Sequence, residues 1–187
     1  PAGDTPAAPK DAVCLWLVPG GHVVHYPLRA GTLLNIVAVS TQGGDTPEMN
    51  GPLAPALESL LSAPASWLRW QAVDRDPVPA WGKGVTTLIG DAAHPGLPYL
   101  AQGAAMALED AVALGQSLAA ESVPEAAFQR FDTVRRKRTA GIVRAARRQG
   151  VVDHLVLPWS FARDLVIRTL PAGLLQRRLD WIYGWRP

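Results

Sequence analysis

The residues whose types and spacing could do chemistry stand close together, between Val85 and Ala111. Val85-Thr86-Thr87-Leu88-Ile89 is an apolar, β-branched run bounded by Gly84 and Gly90, the pattern of a fully buried strand, and Asp91 follows at its carboxyl end. A loop rich in Gly and Pro then leads to Gly103-Ala104-Ala105, where a helix begins with a first turn nearly free of side chains. In open α/β sheets ligands bind beyond the carboxyl ends of the strands, so Asp91 is placed to accept hydrogen bonds from ligand hydroxyls. A bare helix start presents unpaired N–H donors and a positive dipole end, and Gly103 with two alanines lets a flat ligand approach that backbone. Together these features describe a cradle for a cofactor. An acid after a strand is equally a turn former, and Gly-Ala-Ala equally a close-packing device, so spacing alone leaves both readings open.

Elements on either side must position these groups. Residues 12–18, 22–28 and 32–40 are three apolar runs joined by Pro19-Gly20-Gly21 and Arg29-Ala30-Gly31, which predicts an antiparallel meander. In the middle strand a period of two sets His22, Val24 and Tyr26 on one face and Val23 and His25 on the other. Residues 41–52 are a loop, 53–61 a short helix, and 67–73 alternate as a strand that Asp74-Arg75-Asp76-Pro77 ends. The helix at 103–119 carries a small and apolar stripe, Ala104, Leu108, Ala111, Gly115 and Leu118, and is expected to be largely buried. Ser122-Val123-Pro124-Glu125 matches a capping box with Ser122 as N-cap, opening a helix that runs to Gln149. Shorter helices follow at 161–170 and 174–182, broken by Pro158 and Pro171-Ala172-Gly173.

With 187 residues and 48% hydrophobic content the chain can bury a core, as one domain or as pieces of two. Its one cysteine, Cys14, excludes an internal disulfide framework, and no Cys/His cluster has zinc-ligand spacing. No metal is expected, and the expected compartment is a reducing cytoplasm. The opening Pro1-Ala2-Gly3-Asp4-Thr5-Pro6-Ala7-Ala8-Pro9 has the look of a loop interior to a longer protein, without the charged and apolar regions of a signal peptide. No uncharged apolar run approaches the roughly 18 residues of a membrane span. Net charge is +2, yet Arg135-Arg136-Lys137-Arg138, Arg144, Arg147 and Arg148 gather on one helix. Such a run can bind nucleic acid, but Phe128, Phe131, Ile142, Ala145 and Ala146 give the same helix an apolar side that docks on a core. A solvated helix face is expected, with neither nucleic acid nor membrane as partner.

The string from Gly90-Asp91-Ala92-Ala93-His94-Pro95 through Pro98-Tyr99-Leu100-Ala101-Gln102-Gly103-Ala104-Ala105 to Glu109-Asp110-Ala111 resembles the Gly-Asp motif and following helix of the FAD-dependent aromatic hydroxylases, the para-hydroxybenzoate hydroxylase superfamily. His22-Val23-Val24-His25-Tyr26-Pro27-Leu28, Asp74-Arg75-Asp76-Pro77 and Trp181-Ile182-Tyr183-Gly184 are most similar to its salicylate hydroxylases and their hydroxybenzoate and hydroxynicotinate relatives. The likeness covers most of the chain after Cys14 and is weakest at 41–66; the family's Gly-x-Gly-x-x-Gly strand and ribose-binding acid have no counterpart here. The resemblance implies an α+β / α/β fold. Residues 1–80 would be antiparallel strands of a substrate domain, 81–120 the final buried strand and helix of an FAD-binding domain, and 121–187 carboxyl-terminal helices.

It also implies a cofactor, FAD, with NADH or NADPH as reductant, and an oxidoreductase that hydroxylates a phenolic aromatic acid with O₂ through a flavin C4a-hydroperoxide. In the salicylate type the attacked carbon can carry a carboxylate that leaves as CO₂. By the resemblance Asp91 would hold ribitol hydroxyls, with Gly90 making room, and Ala104 and Ala105 would aim backbone N–H groups at the pyrimidine edge of the flavin. Pro98 would sit beside the reactive carbon, and Gln102 and Gly103 would complete the loop. His22 and Tyr26 would serve the substrate pocket, with His94 next, since an imidazole can take a phenol's proton near neutral pH. His25 points the other way, and Glu109 and Asp110 diverge by about 100°, so they cannot both face one reacting atom and are expected to be structural, holding nearby loop backbone or facing solvent. Trp181 and Tyr183 would pack the tail onto the core. The resemblance implies that this portion is inactive without an amino-terminal half, and it is compatible with a homodimer. Two alternatives stand beside it: a monooxygenase or epoxidase of a larger polyketide, quinone or terpenoid substrate, and an inert or merely binding basic helical module.

Overall fold

The computed structural model describes residues 11–41 and 47–186. The loop expected at 1–9 and the middle of the loop at 41–52 lie outside the described residues. Contacts divide the chain into two compact units, Pro1–Trp70 with Val151–Thr169, and Gln71–Gly150 with Leu170–Pro187.

In the first unit, β1 (Cys14–Val18), β2 (Gly21–Leu28) and β3 (Leu33–Ser40) form the expected meander in the order β1-β2-β3. The register sets Val23 between Trp16 and Ala38, and His25 between Cys14 and Ile36. That face packs on α1 (Pro55–Ser62), whose Leu57 and Leu60 join Val18 and Val23 in a buried apolar cluster. The opposite face presents His22, Val24 and Tyr26, with Leu15 and Val37 exposed beside Val24. Residues 151–169 belong here because the amide of Gly20 donates to the carbonyl of His154 (3.4 Å). They include α4 (Trp159–Thr169), whose Arg163 caps the carbonyls of Val152 and Asp153 (3.2 and 2.8 Å).

The second unit holds a two-residue pairing of β4 (Gly82–Lys83) with β5 (Thr86–Thr87), then α2 (Gly103–Ala120), α3 (Pro124–Asp153, of which the part to Gly150 belongs here), α5 (Ala172–Arg177) and α6 (Asp180–Tyr183). α3 begins at Pro124, one residue later than a cap at Ser122 would place it. A proline disfavours helical backbone in the residue before it and suits the first helical position, so Val123 stays outside.

Three expectations fail for one reason, that burial and pairing are set by neighbours rather than by pattern. Residues 67–73 form no strand, and Leu68, Trp70 and Val73 are exposed. The run at 85–89 is not a buried strand in this chain: only Thr86 and Thr87 pair, and Val85, Leu88 and Ile89 are exposed. A buried parallel strand needs partners on both edges and cover on both faces, and among the described residues it has one two-residue partner. The stripe of α2 is likewise on the open side, with Leu108 70% exposed, while Met106, Glu109, Asp110, Ala113 and Ser117 are buried.

Ions decide which side of α2 is buried. Asp110, fully buried, accepts from Arg135 Nε (2.8 Å), His94 Nε2 (2.6 Å) and the amide of Gly90 (2.9 Å). Glu109 pairs with Arg135 Nη1 and with Arg138 Nη2, both at 2.6 Å. The adjacent carboxylates thus converge on one guanidinium, although their directions differ, because each reaches a different nitrogen; the solvent-facing alternative for them does not hold. The basic stretch is solvated only in part: Lys137, Arg144 and Arg148 are exposed, whereas Arg135 is fully buried and Arg138 also donates to the carbonyls of Trp181 and Ile182 (2.8 Å each). Trp185 lies over both guanidiniums, 5.2 and 5.8 Å from ring to carbon. Of the tail it is Ile182 that is buried, while Trp181 and Tyr183 remain about half exposed.

In the second unit Asp74 and Asp76 bind Arg147 and so join 71–80 to α3. Among the described residues no helix is long and apolar enough to cross a membrane.

Removing one partner of a buried ion pair strands the other. Asp110→Ala is therefore expected to lower the unfolding free energy by about 3–5 kcal/mol, measured by urea denaturation at neutral pH. A loss within the ~0–1 kcal/mol of a surface pair would show that Arg135 and His94 find other partners.

Candidate functional site

The loop after β5 is fixed from behind. Gly90 is buried with φ +57°, a left-handed conformation natural to glycine, and its amide is the one bound by Asp110. Its carbonyl accepts from the amides of Ala93 and His94 (2.9 and 3.0 Å), closing a tight turn that leaves the Asp91 side chain exposed. Arg75 Nη2 donates to the carbonyls of Ala92 and Ala93 (3.1 and 2.7 Å). Arg147 holds the acids on either side of Arg75, reaching Asp76 at 2.6 Å and Asp74 through Nε.

The second half of the loop turns at Pro98–Leu100 and then passes through Ala101 in the left-handed region (φ +51°). Tyr99 lies against Gly150 of α3 so closely that a methyl there would sit 2.6 Å from Tyr99 Cδ2. The hydroxyl of Tyr183 donates to the carbonyl of Leu100 (3.1 Å), and buried Gln102 donates to the same carbonyl at 3.4 Å.

Loop and helix start enclose a cavity of about 300 Å³. Asp91, Pro98, Gln102, Gly103 and Ala104 line one side, and Ile142, Val143 and Ala146 of α3 supply an apolar wall. The first hydrogen bond of α2 is donated by Met106 to Gln102, so the amides of Gly103, Ala104 and Ala105 precede the helical ladder. No side chain caps this end and no acid lies in its first turn. It therefore offers N–H donors and a positive dipole end toward the cavity that Asp91 borders. A methyl on Gly103 would lie 3.7 Å from Asp91 Oδ1, filling space between carboxylate and helix. A flat ligand with hydroxyls at one end and electron-rich acceptors at the other fits this donor and acceptor set.

Of the residues expected at a cofactor, Asp91, Pro98, Gln102, Gly103 and Ala104 share this cavity; Gly90 lies behind Asp91, and Ala105 supplies the third amide of the helix start. His94 is buried, with Nε2 on Asp110, Nδ1 without a hydrogen-bond partner and its ring 5.3 Å from that of Trp81. His22 and Tyr26 belong to the other unit and share a sheet face, as their spacing requires. His22 is buried, and its Nδ1 lies 3.0 Å from His154 Nε2. Burial, and then the nearby His154, lower the His22 pKa to about 4. His25 is fully buried on the opposite face beside Trp16, with neither ring nitrogen hydrogen-bonded, and burial lowers its pKa. His154, Arg75, Arg147 and the α3 wall were not foreseen as site components. For the wall a signal existed in the apolar side of α3, whereas His154 is 132 positions from its partner and no local spacing reveals it.

Residues 56–149 match the family model described as FAD binding domain. The chain is 39% identical over 189 residues to 3-hydroxybenzoate 6-hydroxylase of Klebsiella oxytoca, covering 94% of this chain and 48% of that protein. Among solved structures it resembles Klebsiella pneumoniae HpxO complexed with FAD and uric acid, with a TM-score of 0.77 and 22% identity over 95% of this chain and 49% of that one. It also resembles a salicylate hydroxylase substrate complex, with a TM-score of 0.68 and 24% identity over 95% and 48%. At these identities the structures show the fold, and it is the α+β / α/β class expected. The chain spans about half the length of the curated relatives it matches.

Two outcomes follow from the geometry. Gly150→Ala should displace Tyr99 and the Pro98 turn and cost about 1–3 kcal/mol of stability, more than the up to ~1 kcal/mol gained in helix propensity; an unfolding midpoint at or above wild type would contradict that contact. The pKa values of His22, His25 and His154 all lie below the ordinary value when folded, so the folded state binds fewer protons than the unfolded one. The stability this contributes is complete above about pH 6.5 and is lost as pH falls through the folded values. The urea midpoint should decline between about pH 6.5 and 5, where most carboxylates stay ionised; a flat midpoint there would be inconsistent with three neutral imidazoles.

Proposed function

We propose, from the premise that this chain belongs to the FAD binding domain family and from its likeness to hydroxybenzoate hydroxylases, that it provides the flavin-ring seat and part of the substrate pocket of a monooxygenase acting on a hydroxybenzoate-type acid. The observation that carries this reading is the pairing of the Asp91 carboxylate with the uncapped amides of α2 on one cavity. Bound FAD would supply the redox chemistry, taking electrons from NADH or NADPH and activating O₂. This chain's part is to hold and orient. Asp91, with Gly90 allowing its turn, would accept from hydroxyls of the cofactor's chain. The amides of Gly103, Ala104 and Ala105 would favour electron density at the ring's edge. Pro98 and Gln102 would shape the space above, and the apolar wall at Ile142 and Val143 would exclude water.

On the substrate side His22 and Tyr26 share one sheet face, and an imidazole lone pair there would accept a phenol's proton. In this reading His94 supports the loop through Asp110. The relatives named for 3-hydroxybenzoate and 3-amino-4-hydroxybenzoate favour a one-ring aromatic acid over a larger substrate.

The intact protein should be yellow and should consume NADH or NADPH faster on adding 3-hydroxybenzoate or salicylate, with a hydroxylated product detected by chromatography. Asp91→Ala should reduce flavin content, read from the visible absorbance per protein. His22→Ala should abolish hydroxylation at unchanged flavin content. Colourless wild-type protein that takes up no added FAD would sink the proposal.

A further inference from the structure

His154 has no place in the function described so far, yet it is the residue bonded to the proposed substrate base. The two rings are 5.2 Å apart at 32°, with Nδ1 of His22 and Nε2 of His154 at 3.0 Å. The contact is braced, because the His154 carbonyl also accepts the amide of Gly20, next but one to His22 in the chain. Exposure falls from one ring to the other: His154 is partly exposed, whereas His22 is 5% exposed. A proton released at a buried base needs such a path, since a buried imidazolium is costly.

We propose that His154 is a positioning and proton-relay residue, fixing the His22 ring through Nδ1 and passing to solvent the proton that His22 takes from the substrate's phenol. The proposal rests on the reading that His22 meets the substrate. In the step, the phenol O–H bond breaks and a proton joins Nε2 of His22, while the proton on its Nδ1 moves to Nε2 of His154. The substrate becomes a phenolate, the positive charge ends on His154, and no electrons are transferred. The surroundings suit that direction. Across β2 the neighbours of His22 are Leu17 and Val39, neither titratable, and Tyr26 is the nearest titratable group on its own face while His25 faces the other way. Burial lowers the His154 pKa, and the charge of Asp153 beside it works against that shift. Arg163, the cation nearest that segment, is itself paired with Asp164 (2.8 Å).

The test uses the intact, flavin-loaded protein with 3-hydroxybenzoate as probe. His154→Phe should lower kcat about tenfold or more near neutral pH, within the range expected for proton transfer, with flavin content and KM little changed and activity recovering as pH rises. His154→Gln offers an oxygen that can accept from Nδ1 of His22 but does not titrate. It should keep KM and flavin content, yet show the acidic limb of the kcat profile moved to higher pH and less phenolate in the ultraviolet difference spectrum of the bound probe. Should the Phe variant be insoluble, the Gln variant's profile and spectrum decide. Wild-type profiles in the soluble variants, alongside an inactive His22→Ala, would overturn the relay and leave the proposed function standing. If His22→Ala hydroxylates the probe at the wild-type rate, the substrate role of His22 fails and the relay with it.

Discussion

A single carboxylate, Asp110, ties together the parts of the second unit that make a site. It has no exposure to solvent, and burial alone would push its pKa up. Hydrogen bonds from His94, Arg135 and the Gly90 amide outweigh that and hold it below the usual carboxylate range. Each bond does a different job. The one to Gly90 fixes a left-handed residue just before Asp91, the one to His94 anchors the following loop, and the one to Arg135 locks α2 onto α3. Hydrogen bonds to charged groups are worth about 1.5–3 kcal/mol each, and a buried ion costs several kcal/mol to desolvate. Three such bonds are therefore about what a buried carboxylate needs.

Where the sequence carried local instructions, the fold followed them. The Gly-containing connectors and alternating runs gave the meander, and the side-chain-poor start of α2 fell within a residue of its expected place. What the pattern could not say was which side of an element would meet a neighbour. The small and apolar stripe of α2 marks one face as dry, yet the packed face is the one carrying two acids, because α3 brings Arg135 and Arg138 to it. Charge periodicity likewise does not tell a solvated arginine from one held between carboxylates and the Trp185 ring. The runs at 67–73 and 85–89 have the composition of strands, but a strand exists only through its ladder, and their neighbours in this chain supply two residues of it.

The site divides in the same way. Asp91, Gly103 and Ala104 could be singled out because a strand-end acid and a bare helix start have local signatures, Pro98 and Gln102 only through the family resemblance, and all five line one cavity. Arg75 and Arg147 could not, since their value lies in partners found only on folding: loop carbonyls for Arg75, and the acids flanking Arg75 for Arg147. The same limit hid His154, which meets His22 across 132 positions of the chain.

These omissions share a physical cause. A ligand seat must leave its own donors and acceptors open, so the groups facing the cavity cannot also be the groups that hold the loop. Asp91 is exposed, the amides of α2 are outside the helical ladder, and Ala101 sits in a left-handed conformation that costs a residue with a Cβ about 1–2 kcal/mol. None of that is self-supporting. The rigidity comes from behind, through Asp110 under Gly90, Arg75 under Ala92 and Ala93, and Tyr183 and Gly150 under the turn at Tyr99 and Leu100. Open groups advertise themselves in a sequence by what is missing around them, whereas their supports are ordinary residues whose significance is spatial. That division explains why groups lining the cavity could be singled out along the chain and their supports only in three dimensions.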